Sequence, residues 1–473
     1  MLKFRKLPEK PDVSPVVEQI NDFISSRWYI VAVMMLAIAG NILSIELFVY
    51  GVFTLLVLYT CVFGKDLLPL MPIFIFAYLI PSSKNNPGKK EITIFSMEYG
   101  GILIVGFAII ILASFLYRII RDRRKFFGRK YRLMSGILLL SAAYLLGGIG
   151  SEVTASTQIK STVFGLLQSF SILVPYFLFS GGVDWKKVQK DYFAWVGVAA
   201  GCLLLTEILW LYLSANVITD GVINRSLIFT GWGICNNIGG MLALMIPFAF
   251  YLTLRSHHRS WFGAMIASAF LLGVYFTCSR NAIFIGTVIY LICFLTMLRY
   301  CNNRKYAGWS VVLFVICMLV VFSIRSEKIL QLFSIVVEKG FTPSARDTIF
   351  SEGLKLFVKA PLLGNSFYSP GYVPFDASKV EAFSAIFPAR WHNTIIQLLV
   401  CCGTFGIIAY LFHRAQTVKL FLADRSPEKI FIAFSVLVLL LSSLLDCHFF
   451  NIGPTLFYSM ALAFGENCAH CEE

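Results

Sequence analysis

Charge is what this sequence has least of. Asp, Glu, Lys and Arg together make up 14% of its 473 residues, against 58% hydrophobic residues, and the mean hydropathy is +0.76. A soluble domain of this length needs more charge to cover its surface, so water is excluded as the main solvent. No cleavable secretory signal is expected, because the first apolar run comes late and continues directly into further ones. The twelve cysteines are scattered through apolar runs and short basic loops, which excludes a disulfide framework. Cys468 and Cys471 flank His470, but two Cys and one His fall short of a zinc set, so this reads as a reduced cytosolic tail. There is no two-half internal repeat of the kind that marks many transporters.

What the sequence has in abundance is apolar runs. A helix needs roughly 20 apolar residues to cross the hydrocarbon core, because its backbone polar groups must all be satisfied internally. Runs bounded by charges and turn residues fall at 28–46, 47–64, 67–81, 97–117, 134–150, 160–180, 192–214, 233–253, 261–277, 281–298, 308–324, 393–413, 430–447 and 449–465. The second and third are short enough for a re-entrant pair, but loop parity favours two full spans. The expected fold is all-α: a polytopic membrane protein of about 12–14 transmembrane helices.

Lys and Arg in short loops mark the cytoplasmic side. Placing Lys3, Arg5, Lys6, Lys10 and Arg27 inside also puts the strongly basic 118–133 inside, together with 182–191, 254–260, 299–307 and 414–429. Only 82–96, with Lys84, Lys89 and Lys90, is a basic loop left outside. The net charge of +14 is therefore a topological signal, strengthened by anionic lipid, and needs no nucleic-acid partner. The expected division is a cytoplasmic tail at 1–27, helices 1–11 at 28–324, a large extracytoplasmic loop at 325–392, helices 12–14 at 393–465 and a cytoplasmic tail at 466–473. A loop as long as 325–392 is usually functional.

Polar residues at membrane depth or at its boundary carry chemistry, because they are costly there. On the outer side, Ser279-Arg280-Asn281 opens one span. Arg346 follows Ser344, an expected N-cap of an amphipathic helix that runs to about Lys359 and ends before Pro361 and Gly364. His392, after Arg390 and Trp391, opens another span. Helix starts favour anions, and Arg adds a forked donor suited to phosphate, so a phosphate-bearing lipid fits. A second cluster, Gly231-Trp232-Gly233, Asn236-Asn237 and Gly239-Gly240 with Arg225 upstream, offers amides for sugar hydroxyls and glycines for close packing. Taken singly, each Arg or His also reads as an interfacial anchor, with Trp391 in an aromatic belt.

His392-Asn393, nine residues, Gly403, two residues and Gly406 together resemble the H-[NSQ]-x9-G-x-x-G signature of the bacterial O-antigen ligase and O-antigen polymerase superfamily. Ser279-Arg280, and Arg346 ahead of Pro361-x-x-Gly364, resemble the family's recurrent arginine positions in the same order; the likeness covers about 225–413. It implies a GT-C-like membrane glycosyltransferase that polymerises or ligates polyprenyl-diphosphate-linked oligosaccharides at the outer face of the cytoplasmic membrane. It also implies inversion at the anomeric centre and no cofactor or metal; the absence of any Asp-x-Asp agrees with the last point. Its partners would be the lipid-linked donor, a glycan or lipid acceptor and membrane lipids. On this reading His392 is the base and Arg280 and Arg346 hold the diphosphate. Arg225, Asn236, Asn237, Arg390 and Asn393 are candidate substrate contacts. The alternative is a lipid-linked oligosaccharide flippase or another multi-pass transporter.

Overall fold

The computed structural model describes residues 15–80, 99–149, 155–214, 217–219, 222–224, 227–230, 233–255, 260–301, 303–324, 346–367 and 391–471. Among the described residues each expected apolar run contains a helix. In chain order the helices are α1 (Pro15–Ile24), α2 (Arg27–Leu43), α3 (Glu46–Val62), α4 (Leu70–Leu79), α5 (Gly100–Arg121), α6 (Arg123–Phe127), α7 (Met134–Ile149), α8 (Ala155–Gly182) and α9 (Tyr192–Ser214). They continue with α10 (Cys235–Arg255), α11 (Ser260–Phe276), α12 (Arg280–Tyr300), α13 (Arg304–Ile324), α14 (Arg346–Lys359), α15 (Thr394–Leu422), α16 (Pro427–Leu445) and α17 (Ile452–Asn467). Between α9 and α10 lie two minimal antiparallel hairpins, Ile218–Thr219 with Val222–Ile223 and Phe229–Thr230 with Gly233–Ile234.

Among the described residues six helices are long and apolar enough to cross a membrane: α8 from Ser161 onward, α9, α10, α12, α15 and α16. The number becomes seven if α1 and α2, bent by 73° at their junction, count as one span. The chain is thus an all-α polytopic membrane protein. Four further apolar helices, in α3, α4, α7 and α11, are shorter, at 10–17 residues. Of these, α4 has 10 residues, about 15 Å of helix against a hydrocarbon core of about 30 Å.

The segment expected as a plain N-terminal tail contains α1, which the spacing of Val16, Ile20, Phe23 and Ile24 already encodes. Its Asn21 amide donates to the carbonyl of Phe63 (3.2 Å), and Lys65 pairs with Asp22 (2.7 Å). Of the six spanning helices α10 is the most enclosed; it is surrounded by α9, α11, α12 and α16. Gly197 and Gly201 of α9 admit the rings of Phe248 and Phe270 against its backbone.

The two ends of the bundle differ. At one end Arg27 pairs with Asp191 (2.7 Å), Lys429 pairs with Asp424 (3.2 Å), and the Arg132 amide donates to Glu466 (3.0 Å). Several basic residues expected in loops at that end belong instead to helices, Arg118 and Arg414 among them. Arg118, in the last turn of α5, is buried and donates to the carbonyls of Gly64 (2.7 Å), Lys65 (3.1 Å) and Thr60 (3.3 Å), which closes the end of α3. Arg414 lies inside α15, its guanidinium 4.3–4.9 Å from the rings of Phe449, Tyr410 and Tyr458. Those π faces and the Tyr458 hydroxyl (2.7 Å) let the helix continue through a charge. The starts of α10, α12, α15 and α17 and the end of α16 lie at the opposite end.

Candidate active site

The site grows from the end of α16. An α-helix leaves its last carbonyls without intrahelical partners, and here neighbouring helices supply them. The Asn393 side chain donates to the Leu444 carbonyl (2.9 Å), and that of Asn281 donates to the Leu445 carbonyl (3.3 Å). Next in the chain stands Asp446, the C-cap of α16. Oδ1 of Asp446 accepts the Cys447 amide (2.8 Å) and Oδ2 accepts the Asn236 side-chain amide (3.3 Å). His392 Nδ1 lies 3.2 Å from Asp446 Oδ1. The starts of α10, α12 and α15 therefore converge on three consecutive residues.

The backbone aims His392 at this carboxylate. Asn393 is the N-cap of α15, its Oδ1 accepting the amides of Ile395 (2.8 Å) and Ile396 (3.2 Å). On the other side Trp391 is buried, and its amide donates to the Gln397 side chain (2.9 Å). Between these anchors His392 takes φ +52°, in the left-handed region. Such a conformation costs a non-glycine residue about 1–3 kcal/mol and collects at functional sites. Cys278 (φ +52°), just before Ser279-Arg280, and Ser366 (φ +95°) share this feature at the same end.

Asp446 shows 4% of its side chain to the surface and His392 shows 23%. The carboxylate is thus enclosed, whereas the imidazole is accessible. With Nδ1 carrying the proton toward Asp446, the lone pair falls on Nε2, the tautomer that a general base needs. The α10 start is seated by its glycines: a Cβ on Gly240 would strike the His448 ring, and one on Gly239 would come within 2.7 Å of Thr277 and Ala282.

The motif glycines explain how α14 reaches the site. Gly403 has φ +63° inside α15 and breaks it. The turn after α14 fills the break: the Asn365 amide donates to the Val400 carbonyl (2.7 Å), and the amides of Thr404 and Phe405 donate to the carbonyls of Pro361 (2.8 Å) and Leu362 (3.1 Å). Gly364 (φ +82°) lies directly against the Cys401 carbonyl. Farther up α14, a Cβ on Gly353 would fall 3.0 Å from Trp391 and Ile396. The helix that begins at Arg346 is thus packed on the residue preceding His392. Trp391, expected in an aromatic belt, is instead buried in this contact.

Of the residues singled out by sequence, His392, Asn236 and Asn393 meet directly at the end of α16, and Arg280 precedes Asn281 there. Asn237 is buried in the first turn of α10. Arg346 opens α14, and its side chain lies outside the described part; Arg225, Arg390 and Ser344 lie outside the described residues. Asp446 is the residue sequence reasoning missed. Its signal was a lone carboxylate ending an apolar run, the position where charge is rarely accidental. Cys468 and Cys471 sit away from the site at the end of α17, where burial pushes both thiols up to about 12. Among the described residues no group of three or more His, Cys, Asp or Glu is arranged around a metal position.

Residues 265–411 match the family described as O-antigen ligase. The matched stretch contains Arg280, Arg346, His392, Gly403 and Gly406 and stops before Asp446. No curated protein matches the chain.

Proposed function

The match at 265–411 supports placing this chain in the O-antigen ligase superfamily, and from that premise we propose a metal-independent, inverting glycosyltransferase. It is a membrane enzyme of surface polysaccharide biosynthesis that acts on lipid-linked glycans. In the proposed reaction an acceptor hydroxyl attacks the anomeric carbon of a glycan carried on polyprenyl diphosphate, and the diphosphate departs from the opposite face. His392 Nε2 takes the hydroxyl proton as the new glycosidic bond forms. Asp446 holds the imidazole in that tautomer and balances the imidazolium, a role like that of the buried carboxylate in other histidine-based sites. Arg280 and Arg346 bind the diphosphate and the charge it gains on leaving. The site end faces outward and both termini face the cytoplasm, in keeping with the positive residues gathered at the other end.

The observation that carries this reading is the 3.2 Å contact between His392 and an enclosed Asp446 at the point where the Arg280 helix also docks. The test uses purified enzyme with polyprenyl-diphosphate-linked donor and acceptor. His392→Ala should retain donor binding and membrane abundance yet form product at least about 10²-fold more slowly. A near-native rate would remove His392 from the role of base.

A further inference from the structure

In two helices far apart in sequence, the residue immediately after the proposed functional one is asparagine: Arg280-Asn281 and His392-Asn393. Both asparagines donate to the same helix end, Asn281 to Leu445 (3.3 Å) and Asn393 to Leu444 (2.9 Å). The adjoining Asp446, whose amide returns to the Ser442 carbonyl (2.8 Å), receives His392 and Asn236. Three consecutive residues of one rigid element thus form a ruler on which the diphosphate-binding and proton-accepting helix starts are registered. We infer that Asn281 and Asn393 are positioning residues that set the distance and angle between Arg280 and His392; the inference rests on the catalytic reading above.

The chemistry requires asparagine for two different reasons. An orphan carbonyl needs a donor, which the Asn side-chain amide supplies, and Asp in the same place would set a carboxylate against it. At position 393 the side chain must also accept from Ile395 and Ile396, so it needs a donor and an acceptor at once. Asn281 is not the cap of its helix, whose N-cap is Ser279, and it serves the α16 contact, which makes it the cleaner test. Reactants misplaced by about 1 Å can lose about 10²-fold in rate.

Asn281→Asp keeps the shape and removes the donor. Its kcat should fall roughly 10- to 100-fold, with folded yield and melting temperature close to those of the parent. Asn281→Gln, which keeps an N–H donor, should recover part of the loss. In an Arg280→Lys background, Asn281→Asp should cost little more, because the group it registers is already impaired; a merely structural residue would multiply its effect. A readout independent of turnover is the distance distribution between spin labels at Phe284 and Leu441, two exposed positions on α12 and α16, in protein with Cys317 replaced by Ser. It should broaden or shift in Asn281→Asp. Unchanged kcat together with an unchanged distribution would overturn the inference. If Arg280→Ala and His392→Ala are both fully active, the catalytic reading fails, and the label distances still decide whether the clamp exists.

Discussion

A histidine that removes a proton must present one nitrogen to the substrate and keep the other occupied. His392 meets that condition through Asp446, which accepts from Cys447 and Asn236 as well and so has little freedom to turn. Replacing the carboxylate by an amide tests the arrangement. Asp446→Asn preserves volume but offers an N–H that can donate to Nδ1, which stabilises the tautomer whose proton sits on Nε2. Turnover with purified donor and acceptor should fall by about 10²–10⁴, and adding Asp446→Asn to His392→Ala should cost nothing further. An Asp446→Asn enzyme within a factor of about three of the parent would show that the carboxylate is packing only.

At the scale of elements, the break in α15 is the feature on which the site's second half depends. A continuous helix through residue 403 would close its own hydrogen bonds and leave no place for the Pro361–Gly364 turn. The left-handed Gly403 opens the ladder, and the turn supplies carbonyls to Thr404 and Phe405 while Val400 takes the Asn365 amide. A Cβ at Gly403 would run into the Leu362 carbonyl, and the backbone conformation there (φ +63°, ψ −161°), essentially open only to glycine, adds about 1–3 kcal/mol for an L-residue. Gly403→Ala should therefore lower the melting temperature in detergent by several degrees and reduce activity per folded molecule, because α14 would lose its seat. Gly51→Ala, at a position where a Cβ meets nothing within 4 Å, is the control and should change neither.

At the scale of the molecule, a charge asymmetry accompanies the placement of the site. The starts of α10, α12 and α15 share one end, and the Arg27–Asp191 and Lys429–Asp424 pairs share the other. If the site end faces outward, as proposed, an impermeant maleimide should label Lys359→Cys in intact cells, while Arg425→Cys should react only after permeabilisation. Both positions are exposed, so accessibility within the fold does not bias the comparison. The reverse pattern would place the site in the cytoplasm and end the proposed use of an outward-facing lipid-linked donor.

Hydropathy and loop charge by themselves determined the all-α membrane class and the approximate helix boundaries, since both follow from the local cost of placing peptide groups and charges in hydrocarbon. Local spacing likewise determined α14, and it marked His392 and Arg280 as residues at helix starts. Asp446 could not be tied to His392 that way. The two are 54 residues apart, and no periodicity within α15 or α16 says which helix ends will meet. The same holds for Arg118 and Arg414, which resemble loop charges until carbonyls from α3 or rings from α17 and the His448–Phe450 turn close around them. The meaning of Gly403 also waited on tertiary structure. A glycine in an apolar run signals permission to bend, and only the docking of the Pro361–Gly364 turn turns that permission into the contact holding α14 beside the site.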